Sequence, residues 1–203
     1  MSELDRATAR LLEVFPGPLP AEVDGCPCCV SAEDRAGLAA GSPAALDRFA
    51  HKAMTTWGGV DDFRAYLPEL AVAADLDSLL AKLSYARWTR WAAVERDAVR
   101  DFLLARGRSG PVSDLDDLAR FGLEAASLLD HLRADPTDQA LRRIAEVVTR
   151  VLSARQRDPG VVAWLLDPRT AAALEDGFFR ADAETAAVLS AAVDELELLR
   201  STT

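Results

Sequence analysis

Apolar residues recur three and four positions apart along the whole chain, the spacing that lines one face of an α-helix. Leu4, Ala7, Leu11, Leu12 and Phe15 form the first stripe, beginning after the capping residue Ser2 and stopping at Pro16-Gly17-Pro18. The Pro/Gly-rich stretch from Pro16 to Pro27 reads as a loop. Ser31-Ala32-Glu33-Asp34 opens a second helix, its acidic first turn facing the positive end of the dipole, and Gly41 closes it. Ser42-Pro43 starts a third, with Leu46, Phe49, Ala50 and Ala53 on one face as far as Met54. Thr55-Thr56-Trp57-Gly58-Gly59 is a turn, because adjacent glycines penalise a helix interior. Asp61-Asp62-Phe63-Arg64 begins another helix, which Pro68 must kink or restart. From Asp77, Leu79, Leu80, Leu83 and Ala86 resume the spacing, and Trp91, Val94, Ala98 and Phe102 carry it to Gly107, with Trp88 and Trp91 in the core stripe.

Beyond a loop from Gly107 to Pro111 the texture changes. Helical segments open on a repeated phrase: Asp135-Pro136-Thr137-Asp138, Asp167-Pro168-Arg169-Thr170 and Asp182-Ala183-Glu184-Thr185. Such phrases fit either stacked helical hairpins or ordinary capped helices. No strand-length alternation with hairpin turns occurs. The expected fold class is all-α: an irregular multi-helix bundle of about eight to ten short helices, with a solenoid-like stack as an option for the C-terminal half.

Length and composition refine this picture. A chain of 203 residues, 50% hydrophobic and 28% charged, can bury its own core, so a single all-α domain over 1–203 is expected, with a subdivision into 1–107 and 112–203 as the alternative. The net charge of -10 repels phosphate backbones and anionic lipid, which argues against nucleic-acid and membrane partners. Basic groupings such as Arg142 with Arg143 read as solvated helix faces. The start Met1-Ser2-Glu3-Leu4-Asp5 lacks a signal-peptide pattern, so the expected location is cytoplasmic. Two lysines, one isoleucine and no asparagine mark a GC-rich, bacterial coding bias that is silent on function.

Cys26-Pro27-Cys28-Cys29 is the one cluster of specific chemistry, and three readings compete. Three thiolates bind zinc if a histidine completes a tetrahedral set, which makes Cys26, Cys28, Cys29 and His51 the candidate metal ligands and zinc the one candidate cofactor. Asp47, one turn before His51, would then orient its ring. Alternatively Cys26 and Cys29 form a redox pair before a helix N-terminus, although the strand-helix-strand setting of thioredoxin-like chemistry is missing. The third reading is reduced cysteines that simply pack.

A second suggestive run holds Trp57, Asp61, Asp62 and Arg64. It reads as a ligand or interaction site, with Arg64 holding an anion and a carboxylate acting as acid or base, or as a capped helix with a surface ion pair. Phosphate-cradling, dinucleotide and serine-nucleophile motifs are missing, as are paired Glu-x-x-His motifs. Asp114, Asp116 and Asp117 read as an acidic first turn after Ser113, and Asp130-His131 has no second histidine near it.

Cys26-Pro27-Cys28-Cys29, Thr56-Trp57-Gly58, Asp61-Asp62-Phe63-Arg64, Leu67-Pro68 and Lys82-Leu83 together resemble a family of small helical bacterial proteins without an assigned activity. The resemblance runs from about Cys26 to Phe102 and implies shared architecture, not mechanism. Glu69 stands where similar sequences carry a basic residue, and histidine is not a fixture at the position of His51. The leading expectation is a non-enzymatic helical protein-interaction module, with zinc binding and small-molecule binding at the Trp57–Arg64 turn as alternatives.

Overall fold

The computed structural model describes residues 1–135 and 137–202, without the side chains of Asp116, Arg120 and Thr202. Pro136 in the first repeated phrase and the Asp116 carboxylate therefore lie outside the described residues. Thirteen α-helices and one 3-10 turn make up the regular structure among the described residues, and the only β pairing there is two isolated bridges. The fold is all-α and multi-helix, as expected, with more helices among the described residues than the eight to ten expected. None is long and apolar enough to cross a membrane. The helices divide into two compact units, Met1–Ala105 and Arg106–Thr203.

The first unit holds α1 (Glu3–Val14), α2 (Ala32–Ala39), α3 (Pro43–Lys52), α4 (Val60–Ala65), α5 (Leu67–Ala73), α6 (Leu76–Tyr85), the 3-10 turn Trp88–Arg90 and most of α7 (Ala93–Ser109). Ser2 and Ser31 cap α1 and α2 in reciprocal boxes with Asp5 and Asp34, so two unpaired N–H groups are satisfied at each start. Pro68 restarts the helix: α4 ends at Ala65, Tyr66 caps it, and α5 begins with the proline in its first turn. The stripe expected to run from Asp77 to Gly107 is broken. Asp75, not Asp77, caps α6, and Arg87 adopts a left-handed conformation at φ 52° that ends the run. Trp91 Nε1 then donates to the Ala86 carbonyl at 3.2 Å, closing the break from within the core. The core centres on Phe49, which meets Trp57 and Tyr66 edge-on, both at 5.3 Å, with Phe63, Leu67 and Leu70 buried in the same unit.

The second unit follows the C-terminal turn of α7, which continues to Ser109 where a loop was expected from Gly107. It contains α8 (Ser113–Arg120), α9 (Ala125–Ala134), α10 (Asp138–Ser153), α11 (Pro159–Leu166), α12 (Pro168–Phe178) and α13 (Ala183–Thr202). The repeated phrases do mark helix starts: Thr137, Asp167 and Asp182 accept the first-turn N–H groups. α13 packs along both α10 and α12, which makes this unit a bundle. Arg142 and Arg143 are ties between helices, not a solvated face. Arg142 donates to Thr185 Oγ1 at 2.7 Å, and Arg143 donates to the Gly110 carbonyl at 2.7 Å and to the Arg108 carbonyl at the end of α7.

Candidate functional site

The cysteine loop and the Trp57 turn meet. The Cys26 N–H donates to the Thr56 carbonyl at 2.8 Å, and the Gly58 N–H donates to the Asp24 carbonyl at 2.6 Å. On the turn side, the single Lys52 carbonyl accepts from the N–H groups of Thr55, Thr56 and Trp57 and from the Thr55 hydroxyl. Gly58 sits at φ +66°, and a Cβ there would come 2.8 Å from Val23 Cγ1, so only glycine suits the junction. Beneath it Trp57 is 1% exposed, and its Nε1 has no hydrogen-bond partner among the described residues.

Both lysines of the chain serve this junction. Lys52 Nζ donates to the Cys29 carbonyl at 2.6 Å, and the buried Lys82 Nζ donates to the Ala53 carbonyl at 2.8 Å. Burial pulls the Lys82 ammonium below its usual range. Glu69, also in the first unit, is the opposite case: burial raises its carboxyl, and its Oε2 has no hydrogen-bond partner among the described residues.

Within the cysteine segment the Cys29 N–H and the Val30 N–H both donate to the Cys26 carbonyl at 2.9 Å, which winds the four residues into a tight turn. Cys28 and Cys29 are exposed and Cys26 is half-buried; all three are free thiols. The neighbouring Cys28 backbone N–H and Cys29 thiol favour the charged form of Cys26 and hold its thiol below the usual range. The same proximity, with the charge on Cys26, pushes the Cys29 thiol up.

His51 belongs to a different cluster. Its Nδ1 lies 2.9 Å from the Asp47 carbonyl, which must accept, so the ring proton sits on Nδ1 and Nε2 faces Ser78 Oγ at 3.1 Å and Asp75 Oδ2 at 3.7 Å. Ligand-type atoms of Asp47, His51 and Asp75 lie within 4.8 Å of one another on an exposed face, and no cysteine joins them among the described residues. The zinc set Cys26, Cys28, Cys29 and His51 is thus not brought together, because the ring of His51 is held between α3 and the start of α6.

The second candidate run is internally engaged. Asp62 accepts the Gly59 N–H at 2.8 Å and Arg64 pairs with Glu95. The Arg64 guanidinium also lies over the Trp91 ring, 5.1 Å from its centroid, while Asp61 is 3.8 Å away at the surface. Trp57 lines an open pocket with Asp24, Cys26 and Thr56, and Asp61, Asp62 and Arg64 are not part of that lining.

A site that helix periodicity does not single out lies in the second unit. α12 ends on Phe178 and Phe179, whose rings meet edge-on at 5.3 Å, and Phe179 is 83% exposed. With Glu175 on α12 and Ser190, Val193 and Asp194 on α13 they line an open groove whose two ionisable groups are both acids. The signal in the sequence is the paired aromatic at a helix end: Phe178, four residues after the buried Leu174, turns partly inward, whereas Phe179, five residues after it, turns away.

No family model matches this chain, and no curated protein and no solved structure is significantly similar to it.

Proposed function

We propose that the chain is a non-enzymatic protein-interaction module and that the groove between α12 and α13 receives its partner. The observation that carries this reading is Phe179, 83% exposed and braced against Phe178 beside the carboxylates of Glu175 and Asp194. A large aromatic left in water is a ready source of association energy, about 1.5–3 kcal/mol when covered. The acid rim chooses the chemistry of the occupant: a short amphipathic segment with an aliphatic or aromatic anchor flanked by lysine or arginine. The chain's net charge of -10 speeds encounter with such a segment.

The test is fluorescence anisotropy of a labelled synthetic lysine/leucine amphipathic peptide with the full chain. Phe179→Ala is expected to weaken binding roughly ten- to hundredfold. Asp194→Lys is expected to weaken it and flatten its salt dependence. Binding that ignores both substitutions, or no measurable binding, overturns the reading.

A further inference from the structure

We infer that Cys26 and Cys29 form a reversible dithiol–disulfide pair that exchanges with low-molecular-weight disulfides. The turn geometry carries this. The bond from the Cys29 N–H to the Cys26 carbonyl, 2.9 Å long, joins residues three apart. Turns of that kind hold their end Cα atoms within about 7 Å, and a disulfide spans about 4.4–6.8 Å without moving the backbone. The two thiols are near enough for each to shift the other's ionisation.

The turn is held from outside as well. Thr56 grips the Cys26 N–H and Lys52 Nζ grips the Cys29 carbonyl, so the two sulfurs keep their places when one of them reacts. The cysteines do not form a three-sulfur set at metal-ligand spacing among the described residues, which favours pair chemistry over metal capture. Closing so short a loop removes little entropy from the unfolded chain, as suits a bridge that forms and reopens.

The division of labour follows from the two environments. Cys26, its thiol held low by the Cys28 N–H and the Cys29 thiol, is the attacking thiolate. It attacks one sulfur of a disulfide R–S–S–R, forming Cys26–S–S–R and expelling R–S⁻. Cys29, protonated until then, loses its proton to solvent and attacks the Cys26 sulfur, forming the Cys26–Cys29 bridge and releasing the second R–S⁻. The chain's pair is oxidised by two electrons and R–S–S–R is reduced to two thiols. Cys28 takes no part in either step.

The experiment uses the full chain carrying Cys28→Ser, so that two thiols remain, equilibrated with glutathione and glutathione disulfide at varied ratios, acid-quenched, alkylated and weighed. Both thiols are expected to disappear together with a mass loss of two hydrogens and no accumulated glutathione adduct. Adding Cys29→Ser is expected to trap one adduct on Cys26, and adding Cys26→Ser instead is expected to slow reaction at least tenfold. A stable adduct on the Cys28→Ser chain, or no loss of thiols at any ratio while far-ultraviolet circular dichroism shows an intact fold, overturns the proposal. So does equal reactivity of the two double variants.

Discussion

At the scale of single residues, this protein spends its unusual side chains where backbone needs holding. Its two lysines each end on a backbone carbonyl of the junction between the cysteine loop and the Trp57 turn, at Cys29 and Ala53. An arginine fork would carry the same charge but not the same compact point of contact. Gly58 is the most exacting position there. Alanine would suit neither its positive φ nor the space before Val23 Cγ1. Gly58→Ala is therefore expected to destabilise the chain by roughly 1–3 kcal/mol, measurable as a lower urea midpoint with an unchanged slope. A midpoint equal to that of the unsubstituted chain would show that the junction is not under this constraint.

At the scale of elements, helix starts were legible because capping is local. Ser2, Ser31 and Asp182 each accept an N–H three residues ahead, and that needs nothing from the rest of the fold; Asp75 does the same for α6, two residues before the start read from the sequence. Packing between helices is different, and Gly177 shows why. Even in the last turn of α12 alanine is favoured over glycine, by at most about 1 kcal/mol of intrinsic propensity. Yet a Cβ at Gly177 would fall inside contact distance of Leu141 Cδ1 on α10 and 3.2 Å from Leu189 Cδ1 on α13. Overpacking of a closed core costs about 1–3 kcal/mol, so the steric term wins over propensity. Gly177→Ala should lower the melting temperature, whereas a rise would mean that Leu141 repacks freely.

At the scale of the whole molecule, the acidic charge has a folding consequence besides its effect on partners. Asp34, Asp75 and Asp182 have carboxyls below their usual range in the folded state. For Asp34 and Asp182 the first cause is a backbone N–H at a helix start; for Asp75 burial opposes the shift, and the bonds from Ser78 outweigh it. A group whose folded pKa is depressed contributes stability that is fully present above its unfolded value, near 3.9 for aspartate, and lost as pH falls through the folded value. Stability should therefore hold from neutral pH down to about 5 and fall below about 4. Urea midpoints across that range check the expectation; a midpoint independent of pH below 4 would contradict it.

What the sequence determined by itself is the local part: the helical period, the caps, the restart at Pro68 and the turn at Thr55–Gly59. These follow from interactions spanning a few residues, so one chain segment contains all the information. The tertiary structure decided which residues with reactive side chains share a place. It seated the cysteine loop on the Trp57 turn through two backbone hydrogen bonds, and it placed His51 with Asp47, Ser78 and Asp75 instead of with the thiols. It broke the long stripe at Arg87 and closed the break with Trp91, a contact that helical spacing cannot foresee.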